Sequence, residues 1–313
     1  MINIKSLRVD YDDLNAVCDV NLDIGPGQIF GLVGPNGAGK TSMIKAIAGI
    51  IEPTYGEIKI AGFDMELESE NALGKLGYMP DFSPVYENLK VWEYLDVFAA
   101  AYLIDRSVRP EKVEHWIKRV NLQDKTNTVI RELSRGMRQR LVLAKTLLHD
   151  PDVLLLDEPA SGLDPIARKD LHDILKSVAE EKKTILISSH ILTELSDFCN
   201  AIGIMEKGKM VLSGSLDDIR KHINSTGQLV IRLAVANQET IQKLTTFLQI
   251  IPFLTNIKHN NSIELQASFS GDPNDASALL AKLVREGFSI STYFVKEANV
   301  EEIFFHVGAK QVS

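Results

Sequence analysis

Cysteine, long apolar runs and excess positive charge are the features that this sequence has little of. Only two of its 313 residues are cysteines, Cys18 and Cys199, which lie far apart and lack the spacing of metal ligands. This pattern is typical of reduced thiols in packed positions of a cytosolic protein. The apolar patch at residues 99–104 is far shorter than the roughly 20 residues of a membrane-spanning helix. Residues 1–8 lack the basic start and continuous apolar core of a signal peptide.

The charge balance is acidic. The sequence has 34 Lys and Arg against 42 Asp and Glu, a net charge of −8, and it contains no basic stripe. Nucleic acid binding depends on clustered positive charge, so we expect no nucleic acid partner. A hydrophobic content of 45% is ordinary for a soluble globular protein, and the length allows one large domain or two domains.

A glycine-rich phosphate loop is present at residues 34–41, which match the pattern G-x-x-x-x-G-K-[ST] in full. A strand-like segment, residues 28–33, precedes it, and a segment with helical spacing, residues 42–50, follows. Such glycines let backbone N–H groups turn around phosphate oxygens, Lys40 reaches the β- and γ-phosphates, and the Thr41 hydroxyl holds Mg²⁺. A chance match has odds of about one in a hundred sequences of this length. The residues predicted to bind the nucleotide here are Gly34, Asn36, Gly37, Ala38, Gly39, Lys40, Thr41 and Ser42.

Two strands are predicted ahead of this loop. Residues 2–11 alternate between apolar and polar side chains, and residues 16–24 form a second strand that ends at a Gly-Pro-Gly turn. They predict an antiparallel flank. Tyr11 ends the first strand, where its ring either stacks on an adenine or packs half-buried against the protein.

Polar side chains follow three further apolar segments. Asp157 and Glu158 follow residues 153–156, His190 follows residues 184–189, and Asp81 follows the strand at residues 76–79. Ligand sites in parallel sheets lie at such carboxyl ends. We expect Asp157 to meet the Mg²⁺ held by Thr41, and Glu158 to take a proton from the attacking water. His190 is predicted to contact the γ-phosphate, and Asp81 to place metal or water.

The rest of the chain is predicted to add a helical segment and a second domain. Residues 85–129 are mostly helical, and Ser134 is placed as the N-cap of the next helix. After a polar linker at residues 222–228, the order strand, helix, strand, strand, helix, strand predicts a small α+β ferredoxin-like domain, followed by a last helix at residues 300–306. We interpret this domain as an interaction or dimer-stabilising module.

The motifs together resemble those of the ATP-binding cassette (ABC) ATPases, in family order. Residues 34–41 resemble their Walker A loop, 133–137 their signature motif, 153–159 their Walker B segment with the catalytic glutamate, 161–164 their D-loop, and His190 their switch histidine. The resemblance covers about residues 1–220. It implies an α/β P-loop NTPase cassette at residues 1–222, with a mixed, mainly parallel sheet, an antiparallel flank and a helical subdomain at about 82–140. The ferredoxin-like domain then spans 228–313.

The chain also resembles the drug- and polysaccharide-exporter type of cassette, through residues 134–141, 91–98 and 300–305. That type implies a separate integral membrane permease, which would hold this chain at the cytoplasmic face of the membrane. The helical segment after Asp81 would form the docking groove, with its wall at Phe82, Val85 and Tyr86 unless these residues pack in the core.

The sequence departs from the general family pattern at two places. Asp81 stands where glutamine is usual, which puts the role of that position in doubt. Arg135 and Met137 replace glycine and glutamine in the signature, and this second departure is common in the exporter type.

The mechanism that the resemblance implies needs two cassettes, ATP and Mg²⁺. Two chains pair head to tail, and each ATP lies between the Walker A loop of one chain and Ser134, Gly136 and Met137 of the other. One chain here contains one cassette, so a homodimer is expected. ATP closes the dimer, hydrolysis opens it, and the motion moves the permease.

Three other functions compete with an exporter ATPase. A soluble cassette that acts on ribosomes or DNA is disfavoured because the chain has one cassette and no long coiled coil. A non-hydrolytic regulatory cassette is disfavoured by Glu158 and His190. An importer ATPase is the nearest alternative, and a neighbouring gene that encodes about six apolar spans would favour the exporter.

Overall fold

The computed structural model divides the chain into two compact units, Met1–Leu216 and Asp217–Ser313, which are described separately. The structure describes residues 1–12, 14–216, 227–234, 237–261 and 263–296. Most of the predicted linker at residues 222–228 lies outside these ranges, as do the predicted last helix at residues 300–306 and the exporter-like segment at residues 300–305.

An antiparallel sheet of four strands forms the predicted flank of the first unit, in the order β2-β1-β4-β5. Its strands are β1 (Ile2–Tyr11), β2 (Leu14–Ile24), β4 (Tyr55–Ile60) and β5 (Phe63–Asp64). The alternation in β1 holds as predicted, with Ile2 and Ile4 buried on one face. The β1–β2 register shifts between Ile4 and Leu7, next to Ser6 with φ +48°, so the apolar side chains on both sides of the shift face the same core.

The central sheet has six strands in the order β10-β9-β3-β8-β7-β6. They are β3 (Ile29–Val33), β6 (Leu76–Met79), β7 (Val153–Leu156), β8 (Thr184–Ser189), β9 (Ala201–Glu206) and β10 (Lys209–Ser215). The first five in chain order run parallel, and β10 returns antiparallel to β9 as a hairpin. Every residue of β7 and β8 is buried, so β7 is an unbroken apolar run and β8 has polar residues only at its two ends, without polar alternation.

The first unit also contains seven α-helices in its described residues, and three of them, the third to the fifth, lie between β6 and β7 in the chain. They are α1 (Lys40–Ile47), α2 (Ser69–Gly74), α3 (Val91–Ala101), α4 (Arg109–Arg119), α5 (Arg135–Leu147), α6 (Pro165–Glu180) and α7 (Leu192–Ser196). The predicted helical segment at residues 85–129 contains α3, α4 and a 3-10 turn at Gln123–Lys125. Trp116 lies buried in it, whereas Trp92 is partly exposed. Among the described residues, no helix combines the length and the apolar character that a membrane crossing needs.

The second unit has the predicted ferredoxin-like topology. Its elements are β11 (Gly227–Leu233), α8 (Gln238–Gln249), β12 (Leu254–Asn261), β13 (Glu264–Phe269), α9 (Pro273–Arg285) and β14 (Ile290–Lys296). The four strands form an antiparallel sheet in the order β12-β13-β11-β14. Leucines of both helices pack with alternate residues of β11 in one apolar core, which includes Leu229, Ile231, Leu233, Leu244, Leu248, Leu279 and Leu283.

Candidate functional site

The phosphate loop lies between β3 and α1, in the strand–loop–helix context that the sequence predicts. Gly37 and Gly39 have φ of +80° and +102°, conformations that residues with a Cβ atom rarely adopt. A Cβ atom on Gly39 would lie 2.1 Å from the Ala16 carbonyl oxygen, and one on Gly34 would lie 2.3 Å from that of Met205. Glycine is therefore required at positions 34 and 39, because the backbone of β2 and β9 lies too close to the loop for a side chain there.

The turn between β9 and β10 holds the loop from behind. The N–H of Gly208 donates to the Ala38 carbonyl at 2.9 Å, and the Gly208 carbonyl accepts from the N–H of Cys18 at 2.7 Å. This turn follows the loop by about 170 residues, and Lys207 and Gly208 line the same cavity as the loop. We expect it to keep the loop in shape without help from a ligand.

Lys40 is buried at the start of α1, where its ammonium group faces the loop. Its Nζ donates to the carbonyls of Gly34 at 2.7 Å and Pro35 at 3.3 Å, and lies 3.6 Å from Oε1 of Glu158. Gly39, the residue before the helix, offers no side chain to cap the first N–H groups. A helix N-terminus without a side-chain cap, beside an ammonium group, is suited to bind phosphate oxygens.

Asp157 and Glu158 follow β7, and Ser188 of the neighbouring strand β8 connects them. The hydroxyl of Ser188 donates to Oδ1 of Asp157 at 2.6 Å and accepts the N–H of Glu158 at 2.9 Å. Asp157 is 1% exposed, so its carboxylate lies under the floor of the site. Glu158 has φ +47°, a left-handed conformation that costs a residue with a Cβ atom about 1–2 kcal/mol.

His190 contacts Glu158 at the mouth of the site. The two atoms Nδ1 of His190 and Oε2 of Glu158 lie 2.9 Å apart. An ionised carboxylate only accepts hydrogen bonds, so Nδ1 carries the proton and donates, and Nε2 is the other nitrogen available to a ligand. The side chain of His190 is 45% exposed and that of Glu158 14% exposed, which places the pair between solvent and Lys40.

Asp81 lies beside these carboxylates, two residues beyond β6. Partial burial raises the pKa of its carboxyl group above the ordinary value, and the negative charges of Asp157 and Glu158 raise it further. Arg135 and His190 act in the opposite direction and lower the Asp81 pKa. The three carboxylates therefore lie close enough to interact electrostatically at the carboxyl ends of the neighbouring strands β6 and β7.

One cavity of about 570 Å³ joins most of the predicted residues. Those that line it are Tyr11, Asn36, Gly37, Ala38, Gly39, Lys40, Thr41, Ser42, Asp81, Glu158 and His190. Tyr11 is 43% exposed at the end of β1, so its ring has a face open to a ligand. Gly34 and Asp157 lie beneath the lining. A cavity lined by a phosphate loop, an exposed aromatic ring and acidic groups has the chemistry of a nucleoside triphosphate site.

The signature residues do not line this cavity. Ser134 is the N-cap of α5, as predicted, and its Oγ accepts the N–H of Met137 at 3.3 Å. Gly136 packs against α6, where a Cβ atom would lie 2.7 Å from Cβ of Ala167. Arg135 donates from Nη2 to the Ser161 carbonyl at 2.7 Å, which joins the start of α5 to the loop that follows Glu158.

Sequence reasoning missed Ser188 and the turn at Lys207 and Gly208. Ser188 is one of two serines that interrupt an otherwise apolar strand immediately before His190, and that interruption was a usable signal. The turn carries no local signal of its role, because its contact with the phosphate loop joins parts of the chain that are distant in sequence.

Comparisons with known proteins agree with this geometry. A family model described as ABC transporter matches residues 17–161. The chain is 36% identical over 220 residues to the probable multidrug ABC transporter ATP-binding protein YbhF of Escherichia coli, covering 70% of this chain and 38% of that protein's length. It is 33% identical over 219 residues to Nod factor export ATP-binding protein I of Cupriavidus pinatubonensis, covering 70% of this chain and 67% of that protein.

Solved structures give the same answer for the fold. An ATP-binding subunit of an ABC transporter is 30% identical, with a TM-score of 0.64, and covers 71% of this chain and 92% of its own. A dimeric bacterial ABC transporter cassette at 24% identity has a TM-score of 0.62 and supports the fold alone. The matches confirm the P-loop cassette fold that the motifs predict. The match to a relative with 33% identity covers 67% of that relative's length. The chain therefore belongs to the family of ABC transporter ATP-binding proteins.

Proposed function

We propose that this chain binds ATP with Mg²⁺ and hydrolyses it as the ATPase subunit of an exporter. The observation that carries the proposal is the arrangement of Glu158, which lies 3.6 Å from the phosphate-loop lysine and accepts a hydrogen bond from His190 at 2.9 Å. A carboxylate in this position meets both requirements of a general base, namely access to the γ-phosphate side of the site and a partner that fixes its orientation.

The residues present fit a magnesium ion. Mg²⁺ prefers oxygen ligands and is held in nucleotide sites by one or two carboxylates together with phosphates and water. The described residues contain no group of three or more His, Cys, Asp or Glu side chains arranged to hold a metal alone, as expected if phosphates complete the site. Thr41 and Asp157 would hold the ion, with Asp81 as a further oxygen ligand. When bound, it neutralises charge on the phosphates.

Different residues of the chain then take different roles in ATP hydrolysis. Lys40 and the N–H groups at the start of α1 bind the phosphates, and Tyr11 stacks on the adenine. Glu158 accepts a proton from the attacking water at a carboxylate oxygen, and that water bonds to the γ-phosphorus as the bond to ADP breaks. His190 holds Glu158 through Nδ1 and presents Nε2 to the γ-phosphate.

A second cassette is proposed to complete each site. Ser134, Gly136 and Met137 lie outside the cavity of their own chain, and their helix N-terminus is positioned by the contacts with Ala167 and Ser161. One solved neighbour is a dimeric cassette. A head-to-tail homodimer would bring the signature of one copy to the ATP of the other.

The exporter assignment rests on the relatives that the chain resembles, named for multidrug transport and for Nod factor export. A membrane partner needs an apolar docking surface, and Phe82 is 82% exposed and Tyr86 59% exposed in the loop that precedes α3. We propose that these residues dock on an integral membrane permease and that the chain is held by it at the cytoplasmic face of the membrane.

Replacement of the general base tests the proposed hydrolysis. Glu158→Gln keeps the shape of the side chain and removes its basicity, so turnover of ATP should fall by roughly 10²–10⁴ while ATP still binds. Steady-state phosphate release and binding of a fluorescent ATP analogue measure the two effects, with the parent chain as the reference. Near-normal turnover in the variant would contradict the assignment of Glu158.

Co-purification tests the membrane partner. The full chain, expressed together with the product of a neighbouring gene that encodes about six apolar spans, should be recovered from detergent-solubilised membranes. Changing Phe82 and Tyr86 together to serine should abolish recovery and leave the ATPase activity of the isolated chain intact. Equal recovery of both forms would place the docking surface elsewhere.

A further inference from the structure

Ser188 is the one buried hydroxyl that bonds to both acidic residues at the end of β7, among the residues that the structure describes. It is 1% exposed, and its strand lies between β3, which carries the phosphate loop, and β7. A serine hydroxyl has one proton to donate and lone pairs to accept. Here the proton goes to Oδ1 of Asp157 at 2.6 Å, and a lone pair accepts the N–H of Glu158 at 2.9 Å.

The bond to Glu158 acts on its backbone. Glu158 holds φ +47°, and a conformation of this kind persists only where its surroundings fix it. The N–H of Glu158 is directed at Ser188, and its carbonyl accepts the N–H of Ser161 at 3.0 Å. With both ends of the residue fixed, the side chain leaves the strand toward Lys40 and His190.

The bond to Asp157 acts on its carboxylate. A hydroxyl proton held at Oδ1 fixes the rotation of the carboxylate group and leaves Oδ2 as the oxygen that would meet a metal ion. Outer hydrogen bonds of this kind orient metal ligands, and their loss typically lowers metal affinity or activity by 10- to 100-fold.

We propose that Ser188 is a positioning residue that sets the general base and the metal-ligating carboxylate at one time. The proposal rests on the proposed hydrolysis of ATP. According to this proposal, one hydroxyl group affects two different steps, metal binding through Asp157 and proton abstraction through Glu158. A purely structural serine in the strand would affect the stability of the chain and neither step.

The neighbouring Ser189 provides a matched control. It is equally a serine of β8, it is 4% exposed, and its hydroxyl donates to Glu194 at 3.1 Å and accepts the N–H of Ile191 at 3.0 Å. Its bonds thus stay within the segment that follows the strand. Ser189→Ala removes the same group at the same depth without contact with Asp157 or Glu158.

The experiment compares Ser188→Ala, Ser188→Thr and Ser189→Ala in the full chain. Ser188→Ala should lower kcat by about 10- to 100-fold with KM for ATP nearly unchanged. It should also raise, several-fold, the Mg²⁺ concentration at which a fluorescent ATP analogue is half bound, a readout that does not depend on turnover. Ser188→Thr keeps the hydroxyl and should restore both values, and Ser189→Ala should keep both near those of the parent.

The possible outcomes distinguish a failure of the proposed role of Ser188 from a failure of the proposed ATP hydrolysis. A parent chain that does not hydrolyse ATP defeats the proposed function, whereas an active parent with an unchanged Ser188→Ala defeats only the role of Ser188. Equal losses in Ser188→Ala and Ser189→Ala would also overturn it. If Ser188→Ala does not fold, Ser188→Cys replaces it, because a thiol has nearly the same volume as the hydroxyl but donates only weakly. This variant must then show both the lower kcat and the higher Mg²⁺ requirement.

Discussion

Asp81 is the residue at which this chain departs from the glutamine usual in its family, and its environment makes the departure measurable. Partial burial, together with the charges of Asp157 and Glu158, raises the pKa of its carboxyl group above 3.8 in the folded chain. A carboxyl group with a raised pKa binds protons more readily when folded. The free energy of unfolding therefore falls as pH rises from 3.8 through the folded pKa, and stays lower above it.

Removal of this charge should stabilise the nucleotide-free chain. Asp81→Asn has the same shape without an ionisable group, so its Tm should exceed that of the parent at pH 7, and the difference should shrink as pH is lowered toward 4. Thermal unfolding at the two pH values measures this. Asp124→Asn, at an exposed position away from the cavity, should leave Tm unchanged at both. A Tm of Asp81→Asn below that of the parent at pH 7 would contradict the prediction.

At the residue scale, sequence predicts best what a local pattern determines. Lys40, Glu158 and His190 each stand at a fixed offset from a strand or a glycine, and the structure brings them into one cavity. Ser188 is different, because its importance comes from two hydrogen bonds across to the next strand. No local spacing records which neighbours a strand will have in the sheet.

The phosphate loop is an element whose shape depends on contacts from distant parts of the chain. Gly37 and Gly39 share a positive φ, yet a Cβ atom on Gly37 would meet nothing within 4 Å, whereas one on Gly39 would meet the Ala16 carbonyl at 2.1 Å. Substitution at Gly37 would therefore introduce backbone strain alone, whereas substitution at Gly39 would introduce both backbone strain and a steric clash.

Alanine at these two glycines should destabilise the chain to different extents. Gly37→Ala incurs the left-handed conformation alone and should lower the free energy of unfolding by about 1–2 kcal/mol. Gly39→Ala adds a clash with backbone and should lower it by about 3 kcal/mol or abolish folding. Urea denaturation without nucleotide measures both, because a ligand would mask the difference. Equal losses at the two positions would mean that β2 moves away at little cost.

The elements themselves follow from periodicity, with differences at irregular places. The buried strands β7 and β8 lie where the sequence predicts apolar segments. The helical segment before α5 is more broken than its periodicity indicates, since residues 81–90 form no helix. The proline-marked loop after β6 was the available signal, because proline removes a backbone donor and fixes φ.

At the scale of the whole molecule, the separation between cavity and signature can be tested with mixed dimers. A Lys40→Ala chain and a Ser134→Arg chain should each be inactive alone, since every site of either homodimer carries one damaged part. A head-to-tail mixed dimer contains one doubly damaged and one intact site, so mixing should restore part of the ATPase activity. Differently tagged chains confirm that mixed dimers form. Confirmed mixed dimers without any activity would argue against two independent sites formed in trans.

The second unit offers the last test, because its apolar core is built from its own residues. Leucines from β11, α8 and α9 pack together, whereas one large apolar cluster of the first unit is built from residues between Met1 and Met210, and Leu216 is a further buried residue of that unit. A chain that ends at residue 222 should therefore fold and bind ATP. Circular dichroism, thermal unfolding and binding of a fluorescent ATP analogue measure this, with a chain that ends at Lys296 as the control. We expect weaker dimerisation or weaker coupling to the permease as the loss. Insoluble or unfolded protein from the shorter chain alone would show that the first unit depends on the second for its stability.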